Sequence, residues 1–285
     1  MYAERVQIKR DRRNGVNQKE NPDDMKDDWN VWKKLIACLL LAVIFFSIWN
    51  IAGYYIEGYR TREYSAYLRQ EAGIVEQDQE QKQNESKAEV SAPPDSQQAV
   101  PQKVDFDELQ KISKDAVAWI YIPGTEIDYV IAQTDNNSYY LDSQLNGGYS
   151  AGGTLFMDYH NAPDLSDFNT IIYGHHMKNG TMFGSLKNYK DQEYYESHPV
   201  VYLYTPKQNY KVELIAAYTT GTDDSIYTIP GTREERDEIV ANAIEKSDFK
   251  ADVSVEDEDR LVTLSTCAYD FKDARYVVLG KLVEE

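Results

Sequence analysis

The sequence predicts a mainly β fold, a closed antiparallel or mixed barrel of about eight strands set behind one membrane-anchoring helix. Two patterns predict the barrel. Short apolar runs bounded by turn residues recur from residue 117 onward: 117–122, 127–133, 154–157, 170–173, 200–204, 210–218, 261–266 and 276–283. Their irregular spacing, with few helical patterns between them, fits a barrel better than a doubly wound sheet. The 23 Tyr residues add to the case, because aromatic rings suit a pleated, half-buried surface.

The anchor is read from residues 35–56, an uncharged run whose 22 residues span roughly 33 Å as a helix. That is enough to cross a hydrocarbon core of about 30 Å. Lys33 and Lys34 abut its start, with Arg5, Lys9, Arg10, Arg12 and Arg13 further back, so the positive-inside rule puts residues 1–34 in the cytoplasm as a tail. Trp49, Tyr54 and Tyr55 fall where an outer interfacial belt would lie. The run is too long for a signal peptide and has no small-residue cleavage site, so it reads as an uncleaved, single-pass signal-anchor at the cell membrane with lipid as its partner.

Residues 57–103 read as an extracellular helix (57–72) and a flexible stalk (74–103). The stalk is rich in Gln, Glu, Ser and Ala and too poor in large apolar residues to order itself. The globular domain is expected at 104–285. It opens on a short helix with Asp105 and Glu108 as a capping box and Phe106, Leu109 and Ile112 at helical spacing. A second helix is expected at about 232–246, in the long insertion before the strand at 261. Thr232 and Glu235 cap it, and Ile239, Val240, Ala243 and Ile244 form an apolar stripe, which places it over one mouth of the barrel.

Charge narrows the function. Residues 1–34 hold nine Lys and Arg against seven Asp and Glu, and taking that +2 from the total of −18 leaves about −20 for the remainder. An acidic outer domain excludes nucleic acid as a partner, since phosphate binding needs basic patches. No Gly-rich phosphate loop and no CxxC or HExxH metal pattern occurs.

Of the two cysteines, Cys38 lies in the membrane run, so Cys267 is left as a lone thiol in the outer domain. Cys267 closes the strand at 261–266, where a strand end can present a nucleophile. Taken alone, a lone cysteine after an apolar strand is more often a buried small hydrophobe. Arg275 opens the next strand across a polar turn, where a guanidinium can acidify a thiol or donate to an oxyanion, or simply pair with Asp270 or Asp273. His175 and His176 follow the strand at 170–173 and Gly174, whose freedom is expected to turn the chain sharply and expose a histidine as general base and acid. His160 and His198 sit in loop contexts and read as structural.

Together these residues resemble a known family. The segment TLSTC (263–267), with Arg275 on the next strand, resembles the active-site signature of sortases. The segments NTIIYGHHMKNGTMFGSLKNY (169–189) and GGTLFMDYHN (152–161) are similar to the histidine region of class B sortases in particular. The resemblance covers most of 105–285 and implies the family's eight-stranded barrel, with the two predicted helices as class B additions. It also implies Cys267 as nucleophile, His175 (chosen over His176 by the Gly-His pattern) for proton transfer, and Arg275 as oxyanion or substrate clamp. Ser265 and the Ala268 backbone N–H are weaker candidates for the substrate-binding shell.

The implied reaction is a cysteine transpeptidation needing no metal or organic cofactor. A C-terminal sorting motif of a secreted protein is cut after Thr, and the acyl group passes from a thioacyl-enzyme to a cell-wall peptidoglycan amine. A sortase of another class, a hydrolytic cysteine protease, and a tethered scaffold domain with an inert cysteine are the competing readings.

Overall fold

In a computed structural model, which describes residues 22–74 and 103–285, strand pairing closes a single sheet on itself. The eight strands are β1 (Ala116–Tyr121), β2 (Asp128–Ala132), β3 (Leu155–Met157), β4 (Asn169–Tyr173), β5 (Val200–Tyr204), β6 (Asn209–Thr220), β7 (Arg260–Cys267) and β8 (Arg275–Glu284). Their order round the barrel is β1-β2-β3-β4-β7-β8-β6-β5. The pairs β2–β3 and β4–β7 are parallel and the rest antiparallel, so the barrel is of the mixed kind. The expected cytoplasmic residues 1–21 and nearly all of the expected stalk lie outside the described residues.

The described chain falls into two compact units, one ending at Gly53 and the other running from Tyr54 to Glu285. Helix α1 (Pro22–Glu71) contributes to both. In the first unit every side chain from Val31 to Trp49 is exposed, apolar ones included. Among the described residues this one helix is long and apolar enough to cross a membrane.

In the second unit the last turns of α1 belong to the domain core. Leu68, Ala72 and Ile74 are buried with Phe106, Trp119, Tyr140 and Tyr204. The Arg69 guanidinium meets the Asp128 carboxylate at 2.6 Å, and Trp119 Nε1–H donates to the same group, also at 2.6 Å. The compact unit thus starts well ahead of residue 104. Helix α2 (Phe106–Ile112) joins this layer, with the Asp105 carboxylate accepting from the Glu108 N–H as its sequence promised.

The barrel interior is filled by Ile120, Ile131, Ile172, Phe183, Leu203, Leu264, Tyr276 and Val278 among others. A short helix without buried residues, α3 (Gln192–Ser197), precedes β5. Helix α4 (Arg233–Lys246) fills the expected insertion. Thr232 Oγ1 accepts from the Glu235 N–H, and Glu235 answers by accepting from Gly231 N–H, one residue before the usual partner. Its place differs from expectation. Ile239, Val240 and Ala243 pack against Ile215, Ala216, Leu261, Val277 and Leu279, which line the outer wall of β6, β7 and β8, so α4 covers a wall and not a mouth. Ile244 stays exposed because that wall engages only the other three positions.

Candidate active site

Alternation along β7 decides what Cys267 faces. Val262 and Leu264 point into the barrel, while Leu261 packs on the outer wall beneath α4. Period-two alternation carries Thr263, Ser265 and Cys267 to that same outer side. The thiol is therefore half-exposed at the strand end and not sealed in the interior.

Antiparallel register sets Cys267 directly opposite Arg275, the last residue of β7 against the first of β8. Residues so paired share a face. The connecting turn is closed by the Ala268 N–H donating to the Ala274 carbonyl at 2.9 Å, with Asp273 at a φ of 60°. The Arg275 guanidinium donates to the Ala274 carbonyl at 3.1 Å. Asp270 pairs instead with Lys190 at 2.9 Å, and among the described residues no carboxylate lies within ion-pair distance of Arg275. The surface salt bridge that competed with a clamp role is absent from these residues.

The histidines arrive on β4, which runs parallel to β7 with Tyr173 opposite Ser265. The Gly174 N–H extends the ladder to the Ser265 carbonyl at 3.0 Å, so the chain leaves β4 at His175 close to the last residues of β7. Gly174 is needed for space, not for a left-handed turn: a Cβ there would sit 2.3 Å from Leu155 and 2.6 Å from Phe183. His175 Nε2 lies 2.7 Å from the Leu141 carbonyl. A carbonyl only accepts, so Nε2 carries a proton and donates it to this bond.

His176 turns the other way, and its Nδ1–H donates to the Cys267 carbonyl at 3.0 Å. Burial, then the charges of Lys187 and Lys178, push its pKa below the usual histidine value, against the hydrogen bond to Cys267. The last turns of α1 brace this region, with Arg62 donating to the Asn179 carbonyl and Glu57 accepting from Ala151 N–H.

Two tyrosines that the sequence reading missed line the outer face beside these groups. Tyr173 and Tyr227 stack with centroids 6.4 Å apart. Burial pushes the Tyr227 phenol up to about 12, although Ser265 and Arg275 both pull it down. Burial also raises Tyr173, whose hydroxyl donates to Asp158 at 2.9 Å. Tyr227 comes from a 3₁₀ turn in the insertion (Ser225–Tyr227), where no sequence pattern marks it.

The expected binding shell is corrected on two points. Ser265 is 2% exposed and its hydroxyl bonds Tyr227 at 2.8 Å, so it holds the wall and does not meet solvent. The Ala268 N–H is committed to Ala274 and cannot also donate to a substrate. His160 bonds Asp158, and His198 bonds the Tyr194 carbonyl at the end of α3.

Comparison with known proteins agrees with this geometry. The Sortase domain profile matches residues 120–283. The chain is 40% identical over 182 residues to a sortase B of Listeria monocytogenes, covering 62% of this chain and 73% of that protein. It superposes on a sortase B structure from Bacillus anthracis, solved in complex with AAEK1, with a TM-score of 0.66 at 33% identity, over 81% of this chain and all of that one. A Staphylococcus aureus sortase B–substrate complex gives 0.59 at 34% identity, over 63% and 84%. The chain belongs to the sortase family, within class B.

Proposed function

We propose that this sortase works as a cysteine transpeptidase in which Cys267, His175 and Arg275 carry the chemistry. His175 takes the Cys267 thiol proton as the sulfur attacks the Thr carbonyl carbon at the scissile bond of a C-terminal sorting motif, and the oxyanion that forms is held by the Arg275 guanidinium. Collapse breaks the C–N bond, His175 delivers a proton to the departing amine, and a thioester remains on Cys267. A peptidoglycan amine then attacks that thioester and gives a proton to His175, which passes it to the departing Cys267 sulfur so that the thiol is restored. The acyl group ends in a new amide.

The single observation that carries the reading is the pairing of Cys267 with Arg275 at the open ends of β7 and β8. Unlike lysine, the arginine fork can hold an oxyanion through two parallel N–H bonds. The existence of a substrate complex for the Staphylococcus aureus relative supports a sorting-motif peptide as the donor. Residues 35–56 act in this reading as the membrane anchor, with the basic tail cytoplasmic, residues 57–103 outside and the catalytic domain facing the cell wall.

The test uses the full chain in detergent, because α1 contributes buried residues to the domain core. Incubation with a sorting-peptide library is expected to leave a thioacyl adduct on Cys267, seen by mass spectrometry, and added amine is expected to discharge it as a transpeptidation product. Release by water alone, with no amine product, would favour a hydrolytic protease. Unimpaired cleavage by Cys267→Ala would remove the cysteine from the mechanism altogether.

A further inference from the structure

Two loops fix the His175 ring, and both are tied to the same stretch of α1. The first, 174–183, carries His175 and closes where the Phe183 N–H donates to the His175 carbonyl at 3.0 Å. The second, 142–153, leaves a 3₁₀ turn (Tyr139–Leu141) whose last carbonyl takes the His175 Nε2–H. On the second loop the Ala151 N–H donates to the Glu57 carboxylate at 3.0 Å, and the Asn146 N–H to the Tyr64 hydroxyl at 3.1 Å. On the first, Arg62 donates to the Asn179 carbonyl at 3.2 Å, while its Nε–H pairs with Glu126 at 2.9 Å. Gly58 lets the helix pass close. A Cβ there would sit 2.6 Å from Asn179 Nδ2, a buried atom with no hydrogen-bond partner among the described residues. The Asn179 amide is not free to swing aside, because its Oδ1 accepts from the Thr181 N–H at 3.1 Å and the Thr181 hydroxyl at 2.7 Å.

We propose that Glu57, Gly58, Arg62 and Tyr64 are positioning residues for His175. The inference rests on His175 as the proton carrier of the reading above and adds what aims its ring. The backbone of one loop sets the root of the imidazole, the Leu141 carbonyl on the other takes its Nε2–H, and α1 fixes how far apart the two loops sit. With Nε2 engaged, proton exchange falls to Nδ1, whose direction follows that spacing. Docking of the helix itself is secured elsewhere, by the burial of Leu68 and Ala72. The polar contacts at 57–64 are largely exposed, and such bonds add little stability. Their effect therefore falls on where the loops lie, and a displacement of about 1 Å at a reacting group can cost about a hundredfold in rate.

The test measures transpeptidation and melting temperature in the full chain in detergent, with the sorting peptide that charges Cys267 as donor and triglycine as acceptor. Gly58→Ala raises intrinsic helix propensity, so a merely structural role for this position predicts an equal or higher melting temperature and unchanged turnover. Positioning predicts instead that kcat falls about tenfold while the donor KM stays within about twofold. Glu57→Ala is expected to lower kcat about three- to tenfold with the same KM, and Glu57→Gln, which keeps an acceptor for the Ala151 N–H, to restore it. The Glu57 pair alters an exposed contact and keeps the test readable should Gly58→Ala lower the melting temperature. His175→Ala is the reference and is expected to lose at least about a hundredfold in turnover. Unchanged kcat in Gly58→Ala and Glu57→Ala, or a loss in Glu57→Ala that Glu57→Gln does not restore, overturns the inference and leaves the transpeptidase reading intact. Wild-type turnover in His175→Ala overturns both the inference and the role of His175 in that reading.

Discussion

The two faces of β7 answer to different demands. Val262 and Leu264 point inward and are almost fully buried among aliphatic and aromatic neighbours. On the outer face the residues grow more polar and more open toward the strand end, from buried Leu261 through Thr263 and Ser265 to half-exposed Cys267. One strand thus anchors the barrel with one set of side chains and offers a reactive group with the other. Stability and chemistry should be separable by mutation within these eight residues.

The largest expected effect is on the outer face. Cys267→Ala should lower peptide cleavage by at least about 10³-fold, the scale for removing a nucleophile, while its melting temperature stays close to wild type. Leu264→Ala should do the reverse. Truncating a buried leucine costs about 3 kcal/mol, to be read from the denaturant midpoint, with activity per folded molecule preserved. A Leu264→Ala protein as stable as wild type would erase the contrast between the faces.

Arg275→Lys sharpens the outer face further. Charge is kept and the planar fork is lost, so kcat should fall about ten- to a hundredfold with little change in stability. Near-normal turnover would argue against bidentate contact with the oxyanion. Tyr227→Phe is milder. It frees the buried Ser265 hydroxyl of its 2.8 Å partner and should cost about 1 kcal/mol in stability, again by denaturant titration.

Much of this was legible in the sequence because the signals are local. Strand runs with turn residues placed all eight strands, and Thr232 with Glu235 placed the start of α4. Cys267 and Arg275 were legible as the ends of two successive runs. What escaped depends on contacts between distant segments. Nothing in the charged pattern of residues 57–72 announces that Leu68 and Ala72 are core residues, because their partners lie on β1, β2 and α2. The wall beneath α4, Tyr227 beside Ser265 and His176 beneath Cys267 are likewise products of the barrel's closure.

His176 gives the smallest effect and a different kind of measurement. Its pKa is lowered in the folded protein, so the unfolded chain takes up a proton more readily. Stability from this residue is present above the unfolded value near 6.5 and is lost as pH falls through it. His176→Gln keeps a donor for the Cys267 carbonyl and removes the titration. Between pH 7.5 and 5.5 its melting temperature should therefore fall less than that of wild type, while Cys267→Ala should follow the wild-type slope. Parallel slopes for wild type and His176→Gln would mean that the ring beneath the strand end is as easily protonated in the folded protein as in the unfolded one.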